Sequence, residues 1–161
     1  MRAFLSLFLA LLAVVFAAAC SSGASPTFTV KSASVDSSYF CPGGANNAPY
    51  DLHATVQLHN GTDKTVTIDG VTAQMTVASV KGPWLEKVGD RYNADTTAFE
   101  PATVASGKDA AVKVTIPSAC TSGAYGTGIS SSADYNVTIH LATSAGSFAV
   151  TADNQHEIVA D

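Results

Sequence analysis

From Asp51 to Asn60 the chain alternates without interruption: Leu52, Ala54, Val56 and Leu58 fall on one parity, and His53, Thr55, Gln57 and His59 on the other. A period of two predicts a strand with one face in a core and one in water. Two later segments repeat the pattern. Val112, Val114 and Ile116 alternate with Ala111, Lys113 and Thr115, and Tyr135, Val137, Ile139 and Leu141 with Asn136, Thr138, His140 and Ala142.

Turn residues punctuate these runs. Asn60-Gly61-Thr62-Asp63 reads as a turn tolerant of positive φ, followed by a return strand from Lys64 through Val66 and Ile68. The apolar parity changes at Asp69-Gly70, so a bulge or tight turn is expected before Val71, Ala73, Met75 and Val77. Thr27 to Val35 predicts an opening strand. Lys81 to Asp95 reads as a long connection with a short strand at Arg91 to Asn93, and Thr97 to Pro101 as another short strand. Pro117 is expected to stop the strand before it, the segment 118–133 to be loop, and Ser144-Ala145-Gly146 to turn the last hairpin onto Phe148, Val150 and Ala152, leaving a polar tail. The result is an all-β chain: about seven strands, no intervening helix, two antiparallel sheets face to face, with a partly closed barrel as the alternative.

Composition agrees. Beyond Cys20 there are 14 Val and 17 Thr but four Leu and three Glu, which favours pleated sheet over helix. The first residues differ from the rest. Arg2 precedes an apolar run, and Ala3 to Ala19 is 17 residues long, about 25 Å as a helix and short for a bilayer span of about 30 Å. With short side chains at Ala17 and Ala19, this reads as a cleaved export signal over residues 1–19.

The stretch Ala17-Ala18-Ala19-Cys20 resembles the lipobox of bacterial lipoproteins, although those usually carry Leu or Val where this chain has Ala17. The resemblance implies lipid attachment at Cys20, a membrane association through that lipid, and a tether over residues 20–26. Six residues from Ser21 to Pro26 reach at most about 20 Å, so a domain over 27–161 would sit near the membrane. Ordinary secretory cleavage is the other reading.

Three cysteines in an exported chain leave one unpaired by any single disulfide. With Cys20 carrying lipid, Cys41 and Cys120 are left to each other. The rival readings are a Cys20 disulfide to another chain or a reactive Cys41, and no CxxC supports either.

Arg2 lies in the leader, so the remaining chain sets seven Lys and Arg against 13 Asp and Glu, which argues against nucleic acid as a partner. Four histidines invite a copper or zinc reading. His53 and His59, however, are six residues apart on one strand face, about 20 Å, too far for one ion. No Gly-x-Ser-x-Gly elbow is present, and Gly123-Ala124-Tyr125-Gly126-Thr127-Gly128 lacks the Lys of a phosphate loop, so no catalytic residue, metal site or cofactor is assigned. Trp84, Arg91 and Tyr92 share one loop and are of the types enriched at interface hot spots, with core packing the alternative for Trp84. Tyr39, Phe40 and Tyr50 around Cys41 and Tyr125 near Cys120 form a second candidate interaction group, or else cap the core.

The strand-turn-strand Val56-Gln57-Leu58-His59-Asn60-Gly61-Thr62-Asp63 and the lead Ala105-Ser106-Gly107-Lys108 into an alternating strand resemble the secreted immunoglobulin-like modules of bacterial lipoproteins. The resemblance implies a non-catalytic binding or structural module with an envelope protein or polymer as partner. The alternatives are a carrier of a small ligand or metal, and third a secreted enzyme. In that topology Cys41 and Cys120 fall in two connections at one end of the sandwich, away from the tether, and the contact surfaces are expected in loops 38–50, 81–95 and 118–133.

Overall fold

A computed structural model describes residues 27–95, 97–122 and 130–160, so Cys20, its tether and Tyr125 lie outside the described residues. The strands are β1 (Phe28–Val35), β2 (Ser38–Cys41), β3 (Ala48–Asn60), β4 (Val66–Lys81), β5 (Arg91–Ala94), β6 (Ala98–Glu100), β7 (Thr103–Val104), β8 (Asp109–Cys120), β9 (Ser131–Thr143), β10 (Gly146–Thr151) and β11 (His156–Ala160). One sheet has the order β1-β3-β8-β6. The other runs β2-β11-β9-β4-β5, with β10 beside β9 and β7 beside β4.

This is the immunoglobulin order. In that lettering β1, β3, β8 and β6 are A, B, E and D, while β4 and β9 are C and F, and β10 with β11 supply G. Leu52, Val56 and Leu58 of one sheet and Val137, Ile139 and Leu141 of the other are fully buried between the layers. Each such side chain contributes about 1.5–3 kcal/mol by leaving water, which is why the alternating segments determine the layers.

Several elements depart from the sequence expectation. The polar tail is β11, which pairs antiparallel with the first part of β9 and parallel with β2. Its core side is carried by His156, Ile158 and Ala160, a pattern too short and too polar to read as a strand without its partners. Pro117 does not end β8, which continues to Cys120 opposite Ala48. Beside Pro117 the strand is an edge, because β6 covers β8 only from Lys113 to Thr115. The Pro117 carbonyl faces that free side and accepts from Tyr92 Oη, so the missing N–H on the same side costs no ladder bond. Of the expected 38–50 and 118–133 loops, residues 38–41, 48–50, 118–120 and 131–133 are strand.

The expected bulge is present: the β4–β9 register shifts between Ile68 and Gly70. Gly61 has a different reason than positive φ, which among the described residues falls elsewhere. A Cβ on Gly61 would stand 2.8 Å from the Thr27 carbonyl oxygen, and the Gly61 N–H donates to that same oxygen. Close approach of two backbones requires the glycine here.

Candidate interaction surface

The two ends of the sandwich are built differently. At the end where β1 begins, Phe28 lies opposite Asn60, so the described residues start at this end. Asn60 is fully buried and organises the turn: its Nδ2 donates to the carbonyls of Lys64 and Val104, and its Oδ1 accepts from the N–H and hydroxyl of Thr62.

The far end is stapled. Cys41 and Cys120 form a disulfide across a Cα separation of 5.9 Å. Cys41 ends β2 and Cys120 ends β8, so the bond joins the two sheets rather than two loops. It differs from the B–F bridge of antibody domains by lying at the rim. Beyond it, residues 42–47 are pinned to 121–122: Ala45 N–H donates to Ser122 Oγ, Ser122 N–H to the Ala45 carbonyl, and Asn47 N–H to Thr121 Oγ1.

The candidate aromatic residues divide between core and surface. Tyr50 is buried and stacks on half-buried Tyr39 with centroids 3.9 Å apart and planes 6° from parallel. Its hydroxyl bonds to His156 Nε2, and burial pushes its pKa up to about 12. These two tyrosines therefore cap the core beneath the staple. Trp84 is half-buried against the core, with Nε1 donating to Tyr135 Oη. Arg91 and Tyr92 stand on β5 at the edge of the second sheet, exposed, and Tyr92 beside it lines a cavity of about 150 Å³ with Met75, Ser118 and Ile158.

The exposed large apolar side chains gather near the stapled end. Phe40 is 69% exposed, Val88 65%, Leu85 61% and Tyr92 46%. Phe40 lies on β2 opposite Val159, in the cross-strand row that continues through Ser132 to Lys81, the last residue of β4. Leu85 and Val88 belong to the connection that leaves β4 at this end. Phe40 was legible only as an aromatic near a cysteine, because the edge strand that turns it outward is set by pairing with β11.

The histidines are separated. His53 bonds to Asp36 and His59 to Asp109, both on the outer surface of the first sheet, while His140 faces out of the second. His156 is not in a tail but buried, with Nδ1 donating to the Asp36 carbonyl and Nε2 accepting from Tyr50. Among the described residues no group of three His, Cys, Asp or Glu is placed to hold a metal ion.

Fold and surface define an immunoglobulin-like β-sandwich with one stapled end. No family model matches the chain, and no curated protein does. Among solved structures it is similar to an ASH/PapD-like domain of human CEP192, at 12% identity over 82% of this chain and 87% of that one, with a TM-score of 0.25. It is also similar to AggA, the major subunit of aggregative adherence fimbriae type I of Escherichia coli, at 9% identity over 83% and 95% of the two chains, with a TM-score of 0.30. A third likeness is to the Vibrio cholerae protease VesB, at 14% identity over 78% of this chain and 31% of that one, with a TM-score of 0.23. At these values the fold rests on the strand order and register above.

Proposed function

We propose that this chain is an exported, lipid-anchored immunoglobulin-like module that binds a protein or polymer of the cell envelope without catalysing a reaction. The observation that carries the reading is the separation of the two ends. The tether enters beside Phe28, and the exposed apolar side chains Phe40, Val88 and Tyr92 lie toward the opposite, stapled end. A lipid on Cys20 joined by six residues would hold the first end at the membrane and direct the second outward. Apolar and aromatic side chains in water are the material of interface centres, and a rim tied by a disulfide presents them without a large ordering cost. The disulfide also fits an oxidising compartment.

Two measurements on the full chain in its own host test this. Cys20→Ser is expected to move the protein from the membrane to the soluble fraction and to remove the lipid mass; unchanged fractionation of an unmodified Cys20 would sink the anchor. A photo-reactive residue in place of Phe40 or Val88 is expected to trap one reproducible partner, and the same residue in place of Lys31 is not. Equal trapping at all three positions would end the case for the stapled end.

A further inference from the structure

We infer that the outer face of the first sheet carries a second binding site, a polar groove that takes an uncharged saccharide between His53, Lys113 and Glu100. The site lies apart from the exposed apolar side chains toward the stapled end, and it does not depend on the partner proposed for them.

The groove follows from the register of four strands. Ser34 of β1 lies opposite Thr55 of β3, Thr55 opposite Lys113 of β8, and Lys113 opposite Glu100 of β6. In the neighbouring row His53 lies opposite Thr115. Short side chains, Ser34, Thr55 and Thr115, are thus interspersed on this face with the long ones, His53, Lys113 and Glu100. All six line a cavity of about 420 Å³. That size falls within the range of about 300–1,000 Å³ typical of small-molecule sites. Strands about 4.8 Å apart, with outward positions about 7 Å apart along each strand, set these groups on a grid that a sugar ring spans.

The imidazole is held in place by Asp36. Asp36 N–H donates to the His53 carbonyl, and the Asp36 carbonyl accepts from His156 Nδ1. Its Oδ2 accepts the His53 N–H at 3.1 Å and lies 3.0 Å from the ring Nδ1. A carboxylate can only accept, so Nδ1 carries a proton and Nε2 of the neutral ring presents its lone pair. The other charged groups are not paired with each other. Lys113 and Glu100 are register partners, yet Lys113 Nζ donates to Thr55 Oγ1 at 3.1 Å instead. Glu100 has no hydrogen-bond or ionic partner among the described residues. Ammonium donors and both carboxylate oxygens therefore remain for a ligand.

The charges identify the ligand. Lys113 and Glu100 stand side by side with opposite sign, so a net anion or cation loses to one much of what it gains from the other. A neutral polyhydroxyl compound meets no such opposition. Each hydroxyl both donates and accepts, so one sugar donates to the Glu100 carboxylate and to His53 Nε2 and accepts from Lys113 Nζ. Hydrogen bonds in which one partner is ionised are roughly twice as strong as neutral ones. No Trp, Tyr or Phe lines the groove to stack on a ring, so a single short saccharide is expected to bind weakly, with a Kd on the order of 1 mM.

Amide NMR of the full-length protein during titration with cellotetraose, maltotetraose and N-acetylchitotetraose tests the inference. At least one is expected to move the amides of His53, Thr55, Lys113 and Thr115 saturably, while those of Phe40 and Val88 stay in place. Glu100→Gln and Lys113→Met are each expected to weaken that binding about fivefold or more, and Lys64→Met, outside the groove, to leave it unchanged. All three side chains are exposed, so the thermal transition is expected to be retained. The inference is overturned if none of the saccharides moves those amides, if binding persists undiminished in either groove variant, or if Lys64→Met weakens it equally. Glycine, a zwitterion whose two ends match Lys113 and Glu100, is the control: shifts with glycine and none with the sugars would also overturn it.

Discussion

Tyr50 Oη donates a hydrogen bond to His156 Nε2 at 3.0 Å. The direction follows from the other ring nitrogen: Nδ1 lies 2.7 Å from the Asp36 carbonyl oxygen, which can only accept, so Nδ1 holds the proton and Nε2 offers its lone pair. A buried, neutral imidazole therefore ties β11 to β3 and to the segment that leads into β2.

Burial holds His156 below the usual histidine range, the Asp36 carbonyl opposing this only in part. With the folded pKa lowered, the unfolded chain takes up the proton first. The stabilisation is thus present above about pH 6.5 and is lost as pH falls through the folded value. Urea midpoints are expected to drop between pH 7.5 and pH 5, and His156→Gln to flatten that dependence. Tyr50 acts at the other extreme: its pKa of about 12 is raised by burial, so its contribution is full below about pH 10 and is lost as pH rises toward 12.

Reduction of the Cys41–Cys120 bond releases a loop with a sequence separation of 79 residues. In the chain-entropy description this costs roughly 4–5 kcal/mol. Cys41→Ser with Cys120→Ser is expected to lower the denaturant midpoint by a corresponding amount and to remove its sensitivity to reductant; an unchanged midpoint would show that the pinned segment 42–47 holds the rim by itself.

Asn60 makes four side-chain hydrogen bonds while fully buried. Asn60→Ala strands the Val104 carbonyl and the Thr62 N–H, so a loss of about 3 kcal/mol or more is expected in equilibrium unfolding. The same burial predicts that the Asn60-Gly61-Thr62 sequon of the folded protein takes no glycan, which intact mass after treatment with an oligosaccharyl transferase checks.

Phe40 and Trp84 separate binding from packing. Phe40→Ser removes an exposed ring and is expected to shift stability by no more than about 0.5 kcal/mol while weakening partner capture. Trp84→Ala deletes a ring packed on the core and its bond to Tyr135, so it is expected to lower the melting temperature. Thermal unfolding beside the capture assay distinguishes the two.

Much of the fold was legible because alternation is a local signal. Leu52 to Leu58 and Val137 to Leu141 each declare a buried face within ten residues, and Asp69-Gly70 marks its bulge by a change of parity. The candidate surface was legible only in part. Tyr50 was identified by residue type as an interface candidate, yet register places it opposite Ser118 and under Tyr39, inside the core. His156 and β11 were missed because five residues with one histidine and two acceptable apolar positions carry no strand signal until β9 and β2 flank them.

By itself the sequence determined that this protein is all-β, where its long strands and turns lie, and which two cysteines remain to each other once Cys20 is set aside. Only the tertiary structure decided that Cys41 and Cys120 join opposite sheets, that Pro117 stands within a strand, and that His156 is buried against Tyr50. The physical reason is one of range: whether a residue alternates is fixed by its neighbours in the chain, whereas whether a backbone N–H is paired, or a ring covered, depends on which distant strand arrives beside it.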